Sequence, residues 1–226
     1  MQKTYKIKAK PAASKTEATT VCLNISMNNQ NQTGEKLLAM VGWVNANFKT
    51  CMVNVSDSLQ RHNLQSKGFS KQDAYQKSIE MGDLWLERNK NTLDQIHIPH
   101  STIRWDQWLE IQNVKNLKAT LYALYHSCEL FQSCVDTDMK NWIARQEIKT
   151  SSKTYQNGLA FLLEEFAVHS YIAQKQWDIS CQKMVQAYPA KQLYSENYLQ
   201  KIHGRLGLEK SIFIRQKVEL KNKKAE

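Results

Sequence analysis

The sequence contains few of the residues from which interdomain linkers are built. Only 7 Gly and 3 Pro occur among 226 residues, and no segment rich in glycine, serine or proline divides the chain. Linkers usually have such compositions, so we expect one domain over residues 19–220. A basic, flexible segment at 1–18 is expected before it, and a basic tail at 221–226 after it. An apolar fraction of 42% is enough for a hydrophobic core.

Long apolar runs and paired cysteines are missing as well. No stretch of about 18 apolar residues that would span a membrane occurs, and no apolar region follows the basic N-terminal segment, as it would in a secretory signal peptide. The five cysteines are odd in number and include no Cys-x-x-Cys pair. These absences argue against a disulfide framework, a zinc site and membrane association, and they favour the reducing cytoplasm.

Sequence motifs that bind nucleotides are also absent. The loop at 28–34 contains one glycine and no Lys-Ser or Lys-Thr pair, and the chain has no GxGxxG motif. No G-x-S-x-G motif surrounds Ser26, which weakens an interpretation as an α/β-hydrolase. We therefore predict a protein without a cofactor or a bound metal.

Positive charge, in contrast, is abundant and lies at the two ends of the chain. The formal net charge is +10: residues 1–15 hold five lysines and no acid, and residues 201–226 hold eight Lys/Arg and three acids. The other 185 residues carry 18 basic and 18 acidic side chains. This excess indicates an anionic partner, most often nucleic acid. Two solvated tails that only aid solubility are the alternative.

Hydrophobic patterns predict an α/β fold that is richer in helix than in strand. An apolar run at 21–25, a helix after a capping Thr33 and a second apolar run at 51–55 form a βαβ unit, which implies parallel strands. Further helices are predicted from Ser70 to about Leu93, over 106–148, from about Ser152 to Ala173 and from Pro189 to about His203, and further strands at 185–187 and 211–220.

Two places in this pattern carry reactive side chains. Ser26 directly follows the first strand, and open parallel sheets bind ligands at the carboxyl ends of their strands. It is a candidate nucleophile, or else it caps the following turn. Glu164 and Glu165 follow an apolar run, and helix neighbours point about 100° apart. We expect one to be solvated and the other to point inward as an acid, base or amine anchor, unless both are solvated.

Five segments of the chain form an ordered set of motifs: ISMNN at 25–29, VSDSLQRHNL at 55–64, GDLWLERN at 82–89, GLAFLLEE at 158–165 and AYP at 187–189. Taken together, these segments resemble the tRNA-dependent cyclodipeptide synthases. The resemblance extends from about residue 20 to 220, nearly the whole chain. Tyr188-Pro189 is similar to the signature of one of the two branches of that family.

The resemblance implies a Rossmann-like parallel sheet flanked by helices, akin to the catalytic domain of class I tyrosyl- and tryptophanyl-tRNA synthetases but without ATP binding. It implies that Ser26 is the nucleophile, that Glu165 and Tyr188 are catalytic and that Asn29 orients the substrate. Phe161 stands where the family usually has a tyrosine that helps to hold the aminoacyl amine.

The resemblance also predicts the partners, which are two aminoacyl-tRNAs joined into a cyclic dipeptide by a monomer. Asn24 and Cys22 flank the strand before Ser26 and are expected to line the first side-chain pocket. A non-catalytic tRNA-binding module and a serine hydrolase remain the alternatives. The expected tRNA-binding cations are Lys71, Lys77, Arg88 and Lys90 in the helix from Ser70, and Arg215 and Lys217 in the last strand.

Overall fold

The structure is a computed structural model that describes residues 4–15, 18–146, 149–178, 184–189, 192–201 and 212–221. Within these residues the chain forms six strands and eight helices. The strands are β1 (Tyr5–Lys10), β2 (Thr20–Ile25), β3 (Thr50–Val55), β4 (His100–Arg104), β5 (Met184–Tyr188) and β6 (Ile212–Leu220). The helices are α1 (Gly34–Asn47), α2 (Arg61–Ser66), α3 (Lys71–Leu93), α4 (Trp105–Leu109), α5 (Gln112–Ser127), α6 (Glu129–Gln146), α7 (Ser152–Asp178) and α8 (Tyr194–Lys201).

The six strands form one sheet in the order β1-β6-β5-β2-β3-β4. Neighbours from β6 to β4 pair in parallel, and β1 pairs antiparallel with β6 at the edge. The chain passes from β2 through α1 to β3 on one side, whereas β5 joins the other side of β2 much later. The carboxyl ends of β2 and β5 therefore lie at a topological switch point, where such sheets bind ligands.

Helices cover both faces of this sheet, and the alternation along β2 assigns its side chains to them. Val21, Leu23 and Ile25 belong to the core shared with α1 and α3, whereas Cys22 belongs to the core shared with α5, α6 and α7. Alternate residues of a strand share one face, so Asn24 and the residue after the strand, Ser26, are aimed at the second layer. The pattern of β2 thus directs Ser26 towards α7.

The predicted fold class is confirmed, since the protein is a single α/β domain with a parallel, helix-flanked sheet. The βαβ unit of β2, α1 and β3 and the later strands β5 and β6 lie where the sequence predicts them. The helix after Ser70 is also confirmed, because the Ser70 hydroxyl accepts the backbone N–H of Asp73 at 3.1 Å and caps α3.

The flexible segment predicted at 1–18 is wrong for residues 5–10, which form the edge strand β1. Lys6, Lys8 and Lys10 are exposed, while Ile7 and Ala9 between them are half-buried against the core that contains α1. The regular spacing of the lysines is therefore that of a strand with one solvated face. The prediction of a flexible segment was based on the charge of these residues and did not consider the alternation of lysines with less polar residues.

Three further boundaries differ from the prediction. The helical pattern at 106–148 is divided into α4, α5 and α6, and β4 was not predicted. Helix α8 begins at Tyr194 instead of Pro189, because Asp138 of α6 accepts the backbone N–H groups of Tyr194 and Ser195 at 3.1 and 2.9 Å. A tertiary contact of this kind cannot be recognised from the sequence around the start of the helix. The predicted end of this helix at about His203 lies outside the described residues.

Four of the five cysteines lie within the described residues. Cys22 and Cys51 are buried free thiols, and Cys128 and Cys134 are partly exposed free thiols. Cys181 lies outside the described residues. In the described part of the chain, no helix has both the length and the hydropathy that crossing a bilayer requires.

Candidate active site

A cavity of about 450 Å³, here called the central cavity, opens at the carboxyl ends of β2 and β5. Helices α6, α7 and α8 close its other sides. Five of the residues predicted from the sequence line it together, although they come from distant parts of the chain: Asn24, Ser26, Phe161, Glu165 and Tyr188. The structure therefore brings the predicted catalytic residues into one place.

Ser26 is held by the loop that follows β2. Its backbone N–H donates to the side-chain oxygen of Gln32 at 2.8 Å, and the Gln32 amide nitrogen donates to the carbonyl oxygen of Asn24 at 2.5 Å. The Ser26 carbonyl accepts the backbone N–H of Asn29 at 2.9 Å. Because Gln32 is fully buried, this turn is fixed. The Ser26 N–H is occupied in it and is not available to stabilise an oxyanion.

Tyr188 lies at the end of β5 and touches both Ser26 and Asn29. The side chains of these two residues form hydrogen bonds with Tyr188. Burial raises the pKa of the Tyr188 hydroxyl, and the nearby Glu165 adds to the effect, while the hydrogen bonds to Asn29 and Ser26 oppose it. The phenol therefore stays protonated near neutral pH and can donate to, or accept from, the Ser26 hydroxyl.

Glu165 lies on the cavity-facing side of α7. Burial raises the pKa of its carboxyl group to about 8, and the negative charge of Glu196 contributes. Glu196 lies in the first turn of α8, and the pKa of its carboxyl group is also raised, to about 7, mainly by burial. A carboxyl group with such a pKa gains most from a bound cation, because an ammonium group beside it favours the charged form.

Glu164 points away from the cavity and is fully buried. One of its oxygens lies 2.6 Å from both Arg61 Nη2 and Lys118 Nζ and 3.4 Å from His62 Nε2, while Trp105 Nε1 donates to the other at 3.1 Å. Burial opposes ionisation, but the His62 hydrogen bond and the two cations hold the Glu164 pKa well below its usual range. The expectation that one glutamate of the pair is solvated is therefore wrong.

The other predicted residues have different positions. Phe161 lines the central cavity one turn before Glu165. Cys22 does not line it: the thiol is fully buried beneath the cavity floor and donates to Asn24 Oδ1 at 3.5 Å. The six predicted tRNA-binding cations are exposed on α3 and β6 and do not line the cavity either. They are Lys71, Lys77, Arg88, Lys90, Arg215 and Lys217.

Sequence reasoning missed several residues of the site. His169 follows Glu165 by one helical turn, so the helical period alone would have placed it on the same face. Gln32 and Glu196 gave no such signal, because loop closure and the packing of α8 bring them to the site. In the part of the chain that the structure describes, no group of His, Cys, Asp and Glu side chains is arranged to hold a metal ion.

Comparison with known proteins relates this architecture to solved structures. No protein-family model matches the chain, and no curated protein matches it by sequence. A CDPS (cyclodipeptide synthase) from Fluoribacter dumoffii is 21% identical with a TM-score of 0.83, over 97% of this chain and 100% of that one. A cyclodipeptide synthase from Bacillus thermoamylovorans is 12% identical with a TM-score of 0.74, over 94% and 96%.

A third structure connects the fold to tRNA synthetases. It is the Mycobacterium tuberculosis protein whose structure is described as demonstrating that cyclodipeptide synthetases are related to type I tRNA synthetases. It is 11% identical with a TM-score of 0.70, over 98% of this chain and 95% of that one. At such identities the likeness concerns the fold. The chain therefore has the Rossmann-like fold of the cyclodipeptide synthases.

Proposed function

We propose that this protein is a cyclodipeptide synthase, an aminoacyltransferase that joins the amino acids of two aminoacyl-tRNAs into a 2,5-diketopiperazine. The observation that carries the proposal is the convergence of Ser26, Tyr188 and Glu165 in one cavity at the switch point of this fold. The Tyr188-Pro189 pair supports a place in the Tyr-Pro branch. All three residues belong to one chain, so a monomer suffices, and charged tRNA as substrate implies a cytoplasmic location.

In the first step the Ser26 oxygen attacks the ester carbonyl of an aminoacyl-tRNA. The bond to the ribose oxygen breaks, an aminoacyl ester of Ser26 forms, and the serine proton passes to the leaving ribose oxygen. Tyr188 is hydrogen-bonded to Ser26, so it is positioned to relay this proton. The ester is already activated, and the step requires no ATP.

Glu165 holds the ammonium group of the bound amino acid in this proposal. The carboxyl group is neutral in the empty cavity near pH 7, since its pKa is about 8. An arriving ammonium group lowers that pKa and creates an ion pair inside the cavity. Binding of the charged amine is thereby coupled to the ionisation of Glu165, which fixes the substrate beside Ser26.

The remaining steps use the second substrate. The free amine of a second aminoacyl-tRNA attacks the aminoacyl-Ser26 ester, and the resulting peptide is transferred back to Ser26 with release of the second tRNA. The amine of this dipeptidyl-enzyme then attacks its own ester carbonyl. Ring closure breaks the bond to the Ser26 oxygen, which regains its proton.

The decisive experiment uses the purified protein with charged tRNA and no ATP. We expect a diketopiperazine, detected by mass spectrometry, together with uncharged tRNA. Release of free amino acids alone would instead support a serine hydrolase. Binding of tRNA without turnover would support a non-catalytic tRNA-binding module.

A further inference from the structure

The polar side chains of the central cavity are arranged in two tiers. The outer tier contains Ser26, Tyr188 and Glu165. Two residues earlier on each strand, and one turn later on α7, lie the residues of the inner tier: Asn24 and His169, which line the cavity, and the buried Gln186, which does not line it. The spacing from the outer to the inner tier is about 6.6 Å along a strand and about 6 Å along a helix.

Hydrogen bonds confirm that the inner tier is one connected layer. The Asn24 amide donates to Gln186 Oε1 at 3.3 Å, and the Gln186 amide donates to the carbonyl oxygen of His169 at 3.4 Å. On the other side of Asn24, Asn54 donates to Asn24 Oδ1 at 2.8 Å and Trp108 donates to Asn54 Oδ1 at 2.9 Å. The layer thus runs across β3, β2, β5 and α7.

His169 differs from the rest of this layer because its ring is unpaired. Its Nδ1 atom is buried and has no hydrogen-bond partner among the described residues. The residue is 8% exposed and lines the central cavity. A buried polar group without a partner costs about 1–3 kcal/mol, and an occupant of the cavity with a matching polar group removes that cost.

The inner tier is also uncharged. Asn24, Asn54 and Gln186 are amides, and burial lowers the pKa of His169 to about 4, so its ring is neutral near pH 7. A neutral imidazole offers one donor and one acceptor. The carboxyl groups and the guanidinium group that line the cavity belong to the outer tier, to α8 and to α6; they are those of Glu165, Glu196, Asp138 and Arg145.

We infer that the inner tier selects the side chain of the first amino acid, and that it selects an uncharged side chain with a hydrogen-bonding group: an amide, a hydroxyl or an imidazole. This inference rests on the proposed function. With the carbonyl carbon on Ser26 and the ammonium group at Glu165, the side chain is the substituent directed from the outer tier towards Asn24 and His169.

Other side chains fit this tier less well. A carboxylate or an ammonium group would lose its hydration without an opposite charge in the layer. An apolar side chain would leave His169 unpaired, and sites built to form a hydrogen bond discriminate against analogues that lack it.

The test measures covalent labelling of the full-length protein in a single turnover, with tRNA charged with one radiolabelled amino acid at a time. Matched pairs are threonine and valine, tyrosine and phenylalanine, and asparagine and leucine. We expect the fastest label to come from an uncharged polar amino acid, about tenfold or more ahead of its apolar partner. A fastest label from an apolar or charged amino acid would overturn the inference while leaving the proposed function intact. Absence of labelling by every aminoacyl-tRNA would overturn both.

His169 provides the matched variants, because its Nδ1 atom has no hydrogen bond to lose among the described residues. His169→Leu should fold normally and reduce the polar-over-apolar ratio by about tenfold, whereas His169→Gln should retain it. His126→Leu, on the exposed side of α5, controls for the loss of an imidazole elsewhere. An unchanged ratio in His169→Leu would remove His169 from substrate selection.

Discussion

At the scale of single residues, the predicted nucleophile has a close structural counterpart. Ser26 follows β2 and Ser56 follows the neighbouring strand β3, and both serines line the central cavity. Of these two serines, Ser26 is the one that forms a hydrogen bond with Tyr188. The two serines therefore form a matched pair for testing which hydroxyl reacts.

Ser26→Ala should abolish both the product and covalent labelling by aminoacyl-tRNA, because the hydroxyl that forms the ester is gone. The rate should fall by roughly 10³-fold or more, as it does for other covalent nucleophiles. Ser56→Ala should label normally. Labelling that persists in Ser26→Ala would assign the nucleophile to another residue.

Phe161 gives a second prediction at this scale. It lines the cavity one turn before Glu165, where a tyrosine hydroxyl would approach the ammonium group. Phe161→Tyr should keep or raise activity, with a gain of at most about 1.5–3 kcal/mol for a hydrogen bond to a charged group. Steady-state kinetics of product formation will measure it. A folded but inactive variant would show that Phe161 does not face the substrate.

Glu165 makes stability depend on pH in the direction opposite to most acids. Its pKa is about 8 in the folded protein and about 4.3 in an unfolded chain, so folding is penalised progressively as pH rises from 4.3 to 8. Glu165→Gln should therefore stabilise the protein by roughly 2–4 kcal/mol at pH 8 and by nothing at pH 4. Thermal unfolding at both pH values measures this. Equal Tm changes at pH 4 and pH 8 would contradict the assigned shift.

At the scale of elements, α7 places two adjacent carboxyl groups in opposite environments. Glu164 is fixed by Arg61 of α2 and Lys118 of α5, which sets the rotation of α7 and so directs Glu165 and His169 into the central cavity. The buried ion pairs thus serve to orient the helix that carries the site.

Removing the Glu164 charge should destabilise the fold strongly. Glu164→Gln leaves the cations of Arg61 and Lys118 without their partner, and the expected cost is about 3–5 kcal/mol. Urea unfolding measures it. Asp94→Asn breaks the exposed pair with Lys90 and should cost less than about 1 kcal/mol. Equal effects of the two substitutions would show that the buried cluster contributes no more than a surface pair.

The elements that the sequence predicted correctly are those with strong local patterns. Three such patterns are the apolar run of β2, the cap at Ser70 and the Tyr-Pro pair at the end of β5. Each of them predicted the position of an element correctly. The start of α8 depends on Asp138, and the burial of Glu164 depends on Arg61 and Lys118, which are distant in sequence. The position of Gln32 depends on how its loop folds back onto the end of β2. For this reason the residues proposed to be catalytic could be placed from the sequence, whereas the residues that support them could not.

At the scale of the whole molecule, excess charge at the chain ends becomes one surface. Strands β1 and β6 pair so that Lys8 lies opposite Lys217 and Lys10 opposite Arg215, and all four side chains are exposed. Glu219 is the acid among them and is paired with Lys8 at 2.9 Å. Deleting the N-terminal residues would remove β1, so tRNA binding is better tested by substituting individual lysines.

Charge removal on this surface should weaken tRNA binding. Replacing Lys6, Lys8 and Lys10 with glutamine should raise Kd and reduce the salt dependence, by a slope of roughly 0.7–0.9 for each lost phosphate contact. The same replacement of Lys71, Lys77 and Lys90 on α3 is the matched comparison. Titrations at several salt concentrations separate the two surfaces. An unchanged Kd and slope in the β1 variant would assign tRNA binding to α3.

The pairing of β2 with β5 has a consequence for the order in which this protein becomes competent during synthesis. Asn24 and Gln186, which join the two strands, are 162 positions apart. At roughly 5–20 residues per second, a ribosome needs about 8–30 s to produce Tyr188 after Ser26. The proposed nucleophile is thus present in every nascent chain long before its partner residues. A growing polypeptide, surrounded by charged tRNA at the ribosome, holds no assembled site until β5 has been synthesised and has paired with β2.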